Sequence, residues 1–107
     1  MEIIDVHENA KYIRYVREKL TDRSIMEQLA EEASELSQAS LKCIRACKMS
    51  ENMTPVDMQT ALNNVVEEMG DVFMCYFLFY GKIINPMLDV YSSRKWKRWA
   101  ERLGYKE

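Results

Sequence analysis

The sequence predicts an all-α protein, an antiparallel four-helix bundle, and three observations carry that expectation. Apolar residues recur at helical spacing along nearly the whole 107-residue chain. The breaks between periodic segments are short and marked by capping residues. Two acidic clusters, Glu31-Glu32-Ala33-Ser34-Glu35 and Glu67-Glu68-Met69-Gly70-Asp71, are placed so that an antiparallel pair of helices would bring them together.

The elements follow in order. Helix one is expected over residues 6–20, with Val6, Ala10, Ile13, Val16 or Arg17, and Leu20 turned inward. Residues 21–23 read as a turn. Ser24, with Glu27 three residues on, makes a capping box that opens helix two. That helix should reach about residue 48. Residues 49–53 read as a loop, and Thr54-Pro55 supplies a cap followed by proline at the first helical position of helix three. Helix three is expected to reach Tyr80 or Gly81. Asn85-Pro86 repeats the cap-and-proline signal and opens helix four, which should end near Leu103 at Gly104. Helices joined this closely pack antiparallel, and the chain reads as a single domain.

Helical geometry singles out four of the acidic residues. The apolar stripe of helix two runs through Ile25, Leu29, Ala33, Leu36, Ser40, Cys43, Ile44 and Cys47. That of helix three runs through Met58, Ala61, Leu62, Val65, Met69, Val72, Tyr76 and Tyr80. At about 100° per residue, Glu32 and Glu35 fall roughly 60° and 120° to one side of Leu29, and Glu68 and Asp71 fall the same way from Val65. Flanks of the same rotational sense meet only when the helices run antiparallel. Glu32 then lies level with Asp71, and Glu35 with Glu68, about a turn between the two segments. Glu31 and Glu67 point to solvent.

No Lys or Arg stands three or four residues from Glu32, Glu35, Glu68 or Asp71 on either helix. Four carboxylates beside an apolar stripe repel one another and resist leaving water. A hard divalent cation relieves that repulsion, and Mg²⁺ is the usual occupant when phosphates complete its shell. The bland alternative is a solvated acidic face.

Helix four carries Arg94, Lys95, Lys97, Arg98 and Arg102 around Trp96 and Trp99. Lys95, Arg98 and Arg102 share a face and read either as a phosphate clamp or as a basic helix end complementing its own dipole. His7, the single histidine, cannot build the Glu-x-x-His pairs of a di-iron bundle and reads as exposed. Cys43 and Cys47 read as small core residues rather than soft-metal ligands, and Cys75 as core or as the border of a pocket. Gly70 would be explained by a close helix contact or a backbone approach.

Composition narrows the classes further. A net charge of −2 argues against general nucleic-acid or membrane binding. No apolar run is long enough to span a bilayer. The acidic start lacks the features of a signal peptide, and three cysteines without framework spacing fit a reducing cytoplasm. A second apolar set on helix three, Val66, Phe73, Phe77 and Tyr80, lies away from the carboxylates, and four short helices cannot cover it. A homo-oligomer is therefore expected.

The order Glu-Glu-x-x-Glu, about thirty residues, then Glu-x-x-Asp, the spacing an antiparallel hairpin requires, resembles the all-α nucleoside triphosphate pyrophosphohydrolases of the MazG-like superfamily. Gln28-Leu29-Ala30 before the first motif and Val72-Phe73-Met74 after the second strengthen the likeness over helices two and three. The resemblance implies hydrolysis between the α- and β-phosphates of a nucleoside triphosphate, dependent on Mg²⁺ or alternatively Mn²⁺, giving a monophosphate and pyrophosphate. Glu32, Glu35, Glu68 and Asp71 would hold the metal, with Glu32 or Glu35 as candidates to orient the attacking water. It also implies a homodimer or homotetramer. Lys95 and Arg102 partly match a Lys–Asn–Arg series on the last helix of relatives, with Trp99 where the asparagine would stand. Two other readings compete: a non-catalytic metal-binding helical oligomer acting as a binding or regulatory module, and a small nucleic-acid binder using helix four.

Overall fold

The computed structural model describes residues 6–49, 51–79 and 87–107, without the side chains of residues 6, 7 and 87–89. The expected exposure of His7, the end of helix three at Tyr80 or Gly81, and the Asn85-Pro86 signal lie outside those described features. The chain is all-α, with four helices in the expected order: α1 (Val6–Lys19), α2 (Asp22–Ala46), α3 (Met58–Phe79) and α4 (Met87–Arg102). No strand occurs among the described residues. None of the described helices is long and apolar enough to cross a membrane.

The helix boundaries differ from expectation for identifiable reasons. α2 opens on Thr21, not Ser24: the Thr21 hydroxyl oxygen accepts the Ser24 N–H at 3.1 Å, and Ile25 N–H reaches Thr21 O. Glu27 is thereby free to pair with Arg23, one turn earlier, at 2.9 Å instead of completing a capping box. α3 opens on Asp57, not Thr54. The Asp57 carboxylate accepts both the Thr60 N–H at 3.1 Å and the Thr60 hydroxyl at 2.5 Å, which holds its pKa below the usual aspartate value. A carboxylate at a helix N-terminus also meets the positive end of the dipole, an advantage Thr54 lacks. Thr54 instead accepts a hydrogen bond from Arg45 Nε at 2.8 Å, tying the connection to the last turn of α2.

Both α2 and α4 end in Schellman turns. In α2 the Met49 N–H reaches Ile44 O and the Lys48 N–H reaches Arg45 O, with Lys48 left-handed at φ 59°. In α4 the Tyr105 N–H reaches Ala100 O around Gly104 at φ 104°, the C-terminal glycine the sequence predicts.

Packing centres on α2 against α3, with α1 laid on α3. Among the described residues, Ile25, Cys43, Ala61, Cys75 and Phe79 are the buried apolar ones. On α3 the buried line steps in sevens, from Ala61 through half-buried Glu68 to Cys75, closer to the acidic side than the expected stripe, whose Leu62 and Met69 are exposed. On the inward side of α1, Arg17 takes the place left open between it and Val16: its guanidinium donates to the Phe77 carbonyl near the C-terminal end of α3, whereas Val16 is exposed. Of the second apolar set of α3, Val66 and Phe73 are open, 67 % and 42 % accessible, Phe77 is half-buried, and Tyr80 lies outside the described residues. α4 makes no close backbone approach to the other described helices.

Candidate metal centre

The hairpin delivers the four carboxylates to one place. Glu32, Glu35, Glu68 and Asp71 each present an oxygen, and these four atoms lie within 4.8 Å of one another. Glu32, Glu68 and Asp71 are half-buried and Glu35 is exposed at the rim. Glu31 and Glu67 are exposed and take no part, as the helical angles require. The reason is local: Glu32 stands seven residues after buried Ile25, and Glu68 seven after buried Ala61, so each shares the seam-facing side of its helix.

The electrostatics follow the same pairing. Burial pushes the Glu32 carboxyl above its usual pKa, an effect partly offset by Gln28 and reinforced by the charges of Glu35 and Asp71. Burial likewise raises Glu35, with the facing Glu68 as the next cause. The Cys75 thiol, buried one turn after Asp71 on α3, is raised by burial first and then by the charges of Glu32 and Asp71. Gln28 Nε2 donates to Glu32 Oε1 at 2.7 Å. Glu32 Oε2 and Glu68 Oε2 are buried with no hydrogen-bond partner. No Lys or Arg among the described residues pairs with any of the four carboxylates; the short ion pair of α2, Arg23–Glu27, lies at its exposed start.

Buried acceptor oxygens without donors are costly. A donor set made only of carboxylate oxygens suits a hard cation, Mg²⁺, Mn²⁺ or Ca²⁺, and not a soft one. Cys43 and Cys47 stand apart from it, their sulfurs 3.9 Å from each other on the last turns of α2. The cluster therefore fits a divalent cation chemically.

Lys95, Arg98 and Arg102 do share a face: with Trp99 and Glu101 they line a shallow cleft of about 620 Å³ on α4. The structure brings these three cations together with one another but not with the carboxylates, because α4 stands clear of α2 and α3. Gly70 has open space on the side where a Cβ would stand. A Cβ built there would meet nothing within 4 Å, so neither a helix contact nor a backbone approach explains the glycine. The residue that sequence reasoning missed is Gln28 as partner of Glu32, although its spacing of four on one helix is a readable signal.

No protein-family model matches the chain, and no curated protein or solved structure matches it either. Fold and site alone define the class: an all-α protein with a four-carboxylate cluster set between two antiparallel helices.

Proposed function

We propose that this protein is a Mg²⁺-dependent nucleoside triphosphate pyrophosphohydrolase, cleaving between the α- and β-phosphates to release a nucleoside monophosphate and pyrophosphate. One observation carries the reading. Four carboxylates converge from two helices with their oxygens within 4.8 Å, and two of those oxygens are buried and unpartnered. The motif order that resembles the MazG-like superfamily points the same way.

In this reading Glu32, Glu35, Glu68 and Asp71 hold Mg²⁺, with Mn²⁺ as a substitute. Bound there, the ion would polarise the phosphate and acidify a water molecule. The chain's own residues do the rest. Gln28 fixes one Glu32 oxygen and so aims the other into the cluster. Glu35, exposed at the rim, is placed to accept the proton of the attacking water. The water oxygen forms the new bond to phosphorus, and the bridging P–O bond breaks as pyrophosphate leaves. Lys95, Arg98 and Arg102 neutralise the triphosphate when α4, of the same chain or of a second copy, closes over the cluster. The open apolar side of α3 around Val66 and Phe73 supports a homodimer or homotetramer. Three free cysteines suit a reducing cytoplasm.

A pyrophosphate-release screen over ribo- and deoxyribonucleoside triphosphates, with Mg²⁺ or with EDTA, tests the proposal. Mg²⁺-dependent release with matching monophosphate supports it. Mg²⁺ binding without release of either product from any triphosphate would favour the non-catalytic oligomer instead.

A further inference from the structure

A second cleft, about 370 Å³, opens beside the carboxylates and runs toward the hairpin turn. Its upper edge is Glu35 and Glu68, two of the proposed metal ligands. From there the walls repeat at helical spacing: Gln38, Ala39 and Lys42 on α2 face Ala61 and Asn64 on α3, and Val56 of the connection closes the lower end. The space exists because the residues that meet across the seam here are small. Ala39 lies level with Asn64 and Lys42 level with Ala61, in the register that sets Glu35 against Glu68. Leucines at 39 and 61 would close it.

The chemistry of the walls is specific. Among the described residues, the side chains of Gln38, Lys42 and Asn64 have no hydrogen-bond or ion-pair partner. The two carboxamides can each donate or accept, whereas the Lys42 ammonium has three donors and no acceptor. Lys42 is the single cation among the described residues that line the cleft. Lys42 is exposed, and a helical side chain leans back over the turn before it, here toward Gln38. The volume is within the range of small-molecule sites. Its upper edge is acidic, so a phosphate can stand there only together with a cation, and the remainder of the cleft is left for an uncharged, hydrogen-bonding group.

Resting on the pyrophosphohydrolase reading above, we infer that this cleft holds the nucleoside of the triphosphate and selects bases that bear a carbonyl oxygen, with Lys42 donating to that oxygen and Gln38 and Asn64 reading the rest of the base edge. Adenine, which has no carbonyl oxygen, leaves the ammonium unpaired and is disfavoured. A site built to hydrogen-bond one group rejects an analogue lacking it far better than an apolar pocket could.

The test is calorimetric titration with α,β-imido analogues of GTP, UTP and ATP, which cannot be cleaved at the relevant bond, in the presence of Mg²⁺. The guanosine and uridine forms should bind about tenfold or more tightly than the adenosine form, the difference expected for one charge-assisted hydrogen bond. Lys42→Met, at an exposed position, should erase that difference, and Ala39→Leu should abolish binding of all three. Both variants should keep the wild-type rise in Tm on adding Mg²⁺, which serves as the check that the fold and the carboxylates are intact. Equal affinity for all three bases, unchanged affinities in Ala39→Leu, or no binding of any analogue by the wild type overturns the inference. Loss of the Mg²⁺ response in the wild type, or failure to release pyrophosphate, faults the proposed function separately.

Discussion

Gln28 Nε2 donates to Glu32 Oε1 at 2.7 Å and leaves Glu32 Oε2 buried without a partner. The two oxygens of one carboxylate thus have different tasks. One anchors the side chain to its own helix, and the other is directed at three more carboxylates whose charges it would avoid unless a cation were shared.

Gln28→Ala removes the anchor without removing a ligand. Mg²⁺ affinity should fall about tenfold or more, the usual consequence of losing a hydrogen bond that orients a metal-binding side chain. Calorimetric titration of Mg²⁺ into wild type and variant checks it. Equal affinities would mean that the hydrogen bond positions nothing of consequence.

Without metal, stability should fall as pH rises through the range just above ordinary carboxylate pKa values. Glu32 and Glu35 are raised, burial being the first cause for each. The folded chain therefore holds more protons than the unfolded chain in that window, and the slope of stability against pH is negative there. In EDTA the Tm should be higher near pH 5 than near pH 7, both roughly above the unperturbed glutamate range. The lowered pKa of Asp57 acts the other way, with its cap lost only below the usual aspartate range. Glu32→Gln should flatten the slope. A metal-free Tm that rises from pH 5 to pH 7 contradicts the assignment.

The hairpin and its four acidic residues were legible because helical angles and levels are rigid consequences of residue number. Glu31 and Glu67 could be set aside on the same ground. Caps were less legible, since Thr21 competes with Ser24, and Asp57 with Thr54, over three residues of equally suitable polar chain. What decides between them is which side chain reaches a free N–H, as Asp57 does at Thr60. The place of α4 was not legible, because its basic and tryptophan-bearing face would suit a bundle, a ligand or a second copy alike. The cleft below Glu35 was hidden for another reason: Ala39 and Ala61 look unremarkable one at a time and make a space only as facing neighbours.

The position of the α3 cap is tested by two substitutions. Asp57→Ala should lower the Tm by exposing the first-turn N–H groups of α3. Thr54→Ala should have the smaller effect, limited to the Arg45 hydrogen bond. A larger loss at Thr54 in thermal melts would return the cap to that residue.

Two backbone positions offer stabilisation. Gly70 has open space where a Cβ would go, so Gly70→Ala should add about 1 kcal/mol of helix stability. Lys48 occupies the left-handed region at φ 59°, so Lys48→Gly should add roughly 1 kcal/mol. Each gain corresponds to a rise in Tm of about 4 °C for a domain of this size. Thermal melts of the single variants check both, and a fall in Tm for Gly70→Ala would place an unseen neighbour against that face.

The central claim is that Glu32, Glu35, Glu68 and Asp71 form one divalent-cation centre. Titration calorimetry of Mg²⁺ into wild type, Glu68→Gln and Glu67→Gln tests it most directly. Glu67, exposed one residue away, is the control for charge alone. The account predicts saturable Mg²⁺ binding in the wild type, the same binding in Glu67→Gln, and none in Glu68→Gln. Absence of binding in the wild type, or undiminished binding in Glu68→Gln, would contradict it.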